Sequence, residues 1–179
     1  MAFRIVIGDV TIGIQGQDFS YIFSVGSGGM ESLYKDGKEW LYRSPRPAFW
    51  RATTDNDRGN GFVFRSAVWS AADRFVRCVK VTARMDEQEI SMPPAPENNK
   101  YNGDETCDRF EISYTYETPT VPVTEVTVSY LVESDGRIHV QVDYLGKRGL
   151  PELPVLGLRF LMPTAAEGYT YEGLSEIGR

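Results

Sequence analysis

The sequence predicts an all-β protein of antiparallel strands, and two observations support this class. Apolar and polar residues alternate with a period of two along most apolar segments, as in strands that bury one face. Asp-Gly turns separate several of these segments, and such turns join antiparallel neighbours. With 179 residues, 41% hydrophobic and 12% aromatic, the chain is expected to form one domain (1–179) with a sizeable core.

The first half of the chain is predicted to contain three strands, a hairpin and a helix. The alternating pattern predicts strands over Phe3–Ile7, Val10–Ile14 and Phe19–Val25. A hairpin is predicted over Met30–Leu41, because Asp36-Gly37 supplies the positive φ angles of a tight turn. Apolar residues at helical spacing predict a helix over Ser66–Arg77.

The second half is predicted to contain longer strands. They cover Phe75–Arg84, Phe110–Glu117, Val123–Val132 and Ile138–Leu145. The intervening residues Pro93–Cys107 are rich in Pro, Asn, Gly and charge, which predicts a loop. Leu153–Met162 is almost continuously apolar and is predicted to be a strand buried on both faces.

Charge and cysteine content disfavour several classes of protein. The chain has 19 basic and 25 acidic residues, a formal charge of −6, which disfavours nucleic acid as a partner. Cys78 and Cys107 form no CxxC pattern, so a metal site through sulfur is not expected. The N-terminal segment lacks the apolar core of a secretion signal, and no stretch is long enough to span a membrane. A cytoplasmic protein is expected.

The segment 46–61, RPAFWRATTDNDRGNG, is unusually dense in Trp, Arg, Asp, Asn and Gly, and three interpretations compete for it. The first is a long turn in which Asp and Asn side chains bond to their own backbone. The second is a calcium loop, since Asp55 and Asp57 have the spacing of an EF-hand. That interpretation fails because Asn60 and Ser66 stand where glycine and a bidentate glutamate are needed.

The third interpretation is a sugar site. Carboxylates and amides bond to paired hydroxyl groups, and Trp50 offers a stacking surface for a sugar. A self-contained glycosidase also needs two carboxyl groups roughly 5 to 9 Å apart with separated pKa values. Arg51 and Arg58 are expected to keep Asp55 and Asp57 ionised, so neither carboxylate is suited to act as the acid.

The run RPAFWRATTDNDRGNGF, residues 46–62, resembles the signature of the C-terminal β-sandwich domain of β-galactosidases. The family pattern is close to R-A-P-x-D-N-D-x-G, and Thr53 replaces the proline. Lys38–Leu41 and Leu153–Phe160 follow in family order, so the resemblance spans nearly the whole chain. Because the chain begins at Met1, it is also similar to the small chain of split lactic-acid-bacterial β-galactosidases.

The resemblance implies an accessory chain of a retaining β-galactosidase, which hydrolyses terminal β-D-galactosides such as lactose. Its partner is a large chain whose barrel holds the catalytic carboxylates, and any Mg or Na, so no cofactor is expected here. The implied fold is an antiparallel super-sandwich, similar to galactose mutarotase and incomplete at the C-terminus, because the chain stops at Arg179. Exposed strand edges would favour a homo-oligomer.

The resemblance also assigns roles to residues of the segment. It implies that the rim of the substrate site is formed by Asp55, Asn56, Asp57, Gly59, Asn60 and Phe62. Arg51 and Trp50 are expected to anchor this loop, and the residues after Gly59 are expected to form a mobile lid. None of these residues is expected to be catalytic.

Two other functions stay open at this point. A super-sandwich also suits an aldose epimerase, which needs an acid and a base on opposite sides of a sugar, commonly His with a carboxylate. The single histidine, His139, lies on the polar face of its predicted strand. A stand-alone carbohydrate-binding sandwich is the other alternative, and galactoside binding by this chain alone would favour it.

Overall fold

The computed structural model describes residues 2–92, 101–165, 167–168 and 170. The strands are β1 (Phe3–Ile7), β2 (Thr11–Gln15), β3 (Phe19–Ser24), β4 (Gly29–Lys35), β5 (Lys38–Glu39), β6 (Arg43–Ala48), β7 (Arg77–Met85), β8 (Gln88–Ile90), β9 (Glu105–Cys107), β10 (Arg109–Glu117), β11 (Glu125–Glu133), β12 (Ile138–Tyr144) and β13 (Gly157–Leu161). The helices are α1 (Asp55–Gly59) and α2 (Phe62–Arg65), followed by 3-10 turns at Ala67–Trp69 and Ala72–Arg74. None of the helices among these residues could cross a membrane.

The strands form two large sheets and a two-stranded ribbon. One sheet has the order β5-β4-β3-β2-β1-β9, and the other has the order β12-β11-β10-β7-β8. The ribbon pairs β13 with β6. Each of these pairings is antiparallel, as the short turns predict, so the all-β class is confirmed.

The core lies between the two large sheets and is built largely from aromatic side chains. The Phe23 ring of β3 lies 5.8 Å from that of Phe110 and 5.6 Å from that of Tyr130. The Tyr114 hydroxyl of β10 donates to the carbonyl of Gly29 at 3.2 Å. These contacts run from one sheet to the other, so the sheets face each other as a sandwich.

The turn between β11 and β12 is tied to the opposite sheet. The Tyr21 hydroxyl donates to the carbonyl of Gly136 at 2.6 Å. Gly136 has a φ of +79°, and a Cβ there would lie 2.5 Å from the Phe19 ring. Both the conformation and the close approach therefore require glycine at this position.

The predicted strands of both halves are present, with ends that shift by no more than two residues, except that the last strand begins at Gly157 and not at Leu153. The turn at Asp36-Gly37 is also confirmed, with φ angles of 52° and 78°. The loop predicted over Pro93–Cys107 needs a correction, because Glu105–Cys107 forms β9 and pairs with β1. Residues 93–100 of that loop lie outside the described residues. The same holds for residues 171–179, on which the expectation of an incomplete sandwich depends.

The helix predicted over Ser66–Arg77 is wrong. The segment forms two 3-10 turns, and Ala71 between them has a left-handed conformation with a φ of 63°. A left-handed residue ends the run of helical hydrogen bonds, so the apolar spacing does not produce a continuous helix.

The burial predicted for Leu153–Met162 is also wrong. Within it, β13 pairs with β6 in a two-stranded ribbon, and its residues are half-buried or exposed. The side chains of Phe160 and Met162 are 39% and 51% exposed. An apolar run alone does not show whether a strand lies in a central or a peripheral position.

Candidate functional site

The segment that follows β6 begins in the core. Phe49 is fully buried, and its ring lies 5.6 Å from that of Trp69. The Trp69 ring also meets that of Tyr144 on β12 at 6.0 Å, edge to face. Trp50 is half-buried and packs against the same cluster. The chain is thus fixed by aromatic packing immediately before it turns into the polar motif.

Arg51 and Asp57 form a two-pronged ion pair at the centre of the motif. Arg51 Nη1 donates to Asp57 Oδ2 at 2.6 Å, and Arg51 Nη2 donates to Asp57 Oδ1 at 3.1 Å. Asp57 is 8% exposed, so the pair is sheltered on the carboxylate side. Guanidinium and carboxylate groups commonly pair in this two-pronged geometry.

Thr54 joins the same carboxylate to the start of α1. The Thr54 amide donates to Asp57 Oδ2 at 2.8 Å, and the Thr54 hydroxyl accepts from the Asp57 amide at 3.2 Å. This reciprocal arrangement is a capping box with aspartate at its third position. Asp57 therefore satisfies Arg51 and the helix start together, which makes it a structural residue.

Electrostatics fix the charge state of this carboxylate. The hydrogen bond from Arg51, and next that from the Thr54 amide, hold the pKa of Asp57 well below its ordinary value near 3.8. The same hydrogen bond raises the pKa of Arg51. Because a general acid must carry a proton near neutral pH, Asp57 is unsuited to that role.

Phe62 is turned inward by the residues that precede it. Asn60 Oδ1 accepts from the Phe62 amide at 2.9 Å, and Gly61 adopts a left-handed conformation with a φ of +73°. The Phe62 side chain is 8% exposed, and the Arg51 guanidinium lies 5.6 Å from its ring centre. Phe64, two residues later, is 84% exposed.

The proposed rim residues thus fall into two groups. Asp57 and Phe62 face inward and hold the motif together. Asp55, Asn56 and Asn60 are exposed, so their polar atoms can meet a ligand or another chain. The Asp55 carboxylate pairs with the Arg58 guanidinium one turn along α1. The role of these residues at a substrate rim stays a prediction.

Gly59 is the last residue of α1, and its surroundings do not require glycine. A Cβ added there would meet no heavy atom within 4 Å. Substitution by alanine is therefore sterically tolerated. Any effect of that substitution on a reaction would report motion of the segment and not a clash.

The other chemically interesting side chains lie away from the motif. The described residues contain no group of three or more His, Cys, Asp or Glu side chains suited to hold a metal ion. Cys78 and Cys107 are free thiols, and burial raises the pKa of Cys107 to about 12. His139 Nε2 lies 3.3 Å from Glu133 Oε2, and the side chains of both residues remain partly exposed to solvent.

The surface contains an arginine-lined cleft that the sequence does not predict. Arg43, Arg46, Arg74 and Arg159 line one cleft together with Asp73. The pairing of β6 with β13 brings Arg159 beside Arg43 and Arg46, and the 3-10 turn at Ala72–Arg74 contributes Asp73 and Arg74. No local pattern signals such a pairing, although two of the arginines stand three residues apart just before the motif.

These observations define an all-β sandwich domain that presents a charged, helix-capped motif beside its core. A family model described as the β-galactosidase small chain matches residues 15–177. The chain belongs to this β-galactosidase small-chain family, which confirms the resemblance seen in its sequence.

Similar proteins agree with this assignment. The β-galactosidase small subunit of Latilactobacillus sakei is 56% identical over 171 residues, which cover 96% of this chain and 54% of that protein. A β-galactosidase of Clostridium acetobutylicum is 39% identical over 96% of this chain and 17% of its own length. One of Halalkalibacterium halodurans is 35% identical over 93% of this chain and 15% of its own length. The chain thus spans about half of the first relative and a smaller part of the others.

Proposed function

We propose that this chain is part of a β-galactosidase, in which it packs on a separate catalytic barrel and shapes the rim of the active site. The name of the 56% identical relative supports a small-subunit role. The observation that carries the proposal is the motif itself. Arg51, Thr54 and Asp57 form hydrogen bonds with one another inside the motif. Asp55 and Asn60 are instead exposed at its surface.

The proposed reaction is retaining hydrolysis of terminal β-D-galactosides such as lactose. Such a reaction needs a carboxylate nucleophile and a second carboxyl group that donates a proton. Asp57 stays ionised beside Arg51, so it does not supply that proton. The β-galactosidase family relation supports an assignment of both catalytic carboxylates, with any Mg or Na, to the large chain, and we place the assembled enzyme in the cytoplasm.

We assign the role of a lid over the active site to the exposed part of the motif. Asn56 and Asn60 carry both donors and acceptors, which suit the hydroxyl groups of a galactoside. Phe64 offers an exposed apolar ring on the segment after Gly59. Closure of this segment over the sugar would exclude water and complete the pocket.

Reconstitution tests the accessory role. The chain, a β-galactosidase large chain, and their mixture are each assayed with nitrophenyl β-galactoside. We expect turnover from the mixture and none from this chain alone, because it lacks the acid and nucleophile. Turnover by the purified chain that survives Asp55→Ala and Asp57→Ala would contradict the proposal. Calorimetric binding of galactose by the chain alone would instead indicate a carbohydrate-binding domain.

A glycine substitution tests the lid. In the assembled enzyme, Gly59→Ala is expected to change kcat and KM together, because it restricts the backbone where the segment moves. Gly146→Ala is the matched control, since a Cβ at Gly146 also meets no heavy atom within 4 Å. Unchanged kinetics in a fully assembled Gly59→Ala enzyme would rule out the lid.

A further inference from the structure

A cleft of about 770 Å³ lies beside the ribbon of β6 and β13. Its charged lining residues are Arg43, Arg46, Arg74, Arg159 and Asp73. Four guanidinium groups against one carboxylate leave a strong local positive charge. The chain as a whole carries a net charge of −6, so this concentration of arginine runs against the overall composition.

Two of the arginines oppose each other directly. Arg46 of β6 and Arg159 of β13 are paired residues in the antiparallel register. Like charges in directly opposite positions destabilise a strand pair. Asp73, with a side chain only 11% exposed, offsets one of them through an ion pair with Arg159 at 2.6 Å. The ion pair with Asp73 thus reduces the repulsion between Arg46 and Arg159 but does not remove it.

The remaining guanidinium groups have no carboxylate partner among the described residues. This is true of Arg43 and Arg74, whose side chains are exposed, and of Arg46. Arg46 lies over the ring of Tyr116, 5.7 Å from its centre, which holds the guanidinium group beside the cleft. Three positive groups are therefore available to an anion.

An unused hydrogen-bond donor lies next to these charges. The Tyr116 hydroxyl is buried and has no hydrogen-bond partner among the described residues. A Cβ added to Gly29 would lie 3.5 Å from Tyr116 Oη and 3.3 Å from the Cβ of Ser44, which lines the cleft. The hydroxyl of Tyr130 is also buried and unpaired among the described residues, and neither tyrosine lines the cleft, so an anion site is inferred from the arginines.

We propose that this cleft binds a small molecule that carries a phosphate or diphosphate group. Guanidinium groups bind phosphate oxygens in pairs, and arginine is the side chain best suited to that geometry. The volume lies within the range of small-ligand sites and is larger than a single phosphate ion requires. The cleft includes Arg46, the first residue of the run 46–62, but it is lined by none of the proposed rim residues and by neither of their anchors, Trp50 and Arg51. The proposal therefore does not depend on the rim role.

Calorimetric titration of the purified chain with pyrophosphate tests the site. We expect saturable binding that weakens as salt rises, and Arg46→Gln should raise the Kd about tenfold, the effect of one lost charge-assisted hydrogen bond. Arg137→Gln is the matched control. It removes the same charge from a residue that pairs with Asp135 outside the cleft, and it should leave the Kd unchanged.

A second variant should change affinity in the opposite direction. Asp73→Asn removes the competing carboxylate and frees Arg159, so pyrophosphate should bind more tightly. If Arg46→Gln fails to fold, the exposed residues allow the same test through Arg43→Gln and Arg74→Gln, with folding checked by circular dichroism.

Two results would overturn the proposal. Equal losses of affinity in the cleft variants and in Arg137→Gln would show that binding follows net charge alone. Binding of a tetraglutamate peptide with the same arginine dependence, without binding of pyrophosphate, would assign the cleft to an acidic protein segment.

Discussion

The sandwich core and the polar motif are held together in opposite ways. In the core, Phe23 meets Phe110 and Tyr130, residues about 90 to 110 positions away in the chain. In the motif, Arg51, Thr54 and Asp57 bond to one another within seven consecutive residues. The core therefore depends on volume and long-range pairing, whereas the motif depends on charge and local geometry.

Loss of core volume should have the largest effect. Phe23 is fully buried, so Phe23→Ala is expected to lower the free energy of unfolding by about 3–5 kcal/mol, as for other buried aromatic residues. Urea denaturation followed by circular dichroism measures the change. Ile22→Ala, at a residue 38% exposed on the same strand, is the control and should cost far less. Equal losses at both positions would show that the sheets do not pack as described.

Loss of the helix cap should have a smaller and local effect. Thr54→Ala removes the hydroxyl that accepts from the Asp57 amide, which typically costs about 1 kcal/mol of helix stability. Hydrogen exchange at the amides of α1 should accelerate, while exchange in the core strands should not change. Thr54→Ser keeps the hydroxyl and should preserve protection. Faster exchange throughout the molecule would contradict the separation of the two regions.

The motif should also respond to pH in a direction set by Asp57. Its pKa is lowered in the folded chain, so its contribution is complete above the ordinary value near 3.8. The contribution is lost as the pH falls through the lower, folded value. Carboxyl carbon NMR should give Asp57 a titration midpoint below 3.8, and Arg51→Gln should raise it. A midpoint that Arg51→Gln leaves unchanged would show that the ion pair is absent in solution.

The smallest effect is expected at the exposed ion pair of the same helix. Asp55 and Arg58 pair in solvent, where such contacts contribute little because water and salt screen them. Arg58→Ala should therefore leave both the denaturation midpoint and the exchange of α1 amides within error. A loss as large as that of Thr54→Ala would mean that this pair also supports the motif.

Sequence patterns predict the parts of this molecule that depend on near neighbours. Alternation locates β10, β11 and β12, and the Asp36-Gly37 turn follows from the conformational preferences of those two residues. The fork of Arg51 with Asp57 is equally local, because the two residues stand six positions apart in the chain.

Features that depend on distant pairing are not predictable in this way. Neither the β9 strand nor the exposure of Phe160 follows from local pattern, because each depends on which strand lies alongside. The cleft requires the register of Arg46 against Arg159, more than one hundred residues apart. The inward direction of the Phe62 side chain depends on the left-handed conformation of Gly61. The sequence shows only an aromatic residue in a polar segment, so it does not predict this direction.

Two hydrogen bonds join the segment that precedes the second sheet in the chain to the segment that follows it. The Ser66 hydroxyl donates to the carbonyl of Glu152 at 3.0 Å, and Trp69 Nε1 donates to that of Pro151 at 3.2 Å. Every strand from β7 to β12 lies between these points in the chain, and all of them except β9 belong to the second sheet. Closing so long a loop costs chain entropy unless the sheet has already brought its ends together. A chain interrupted before residue 151 would therefore lack this closure.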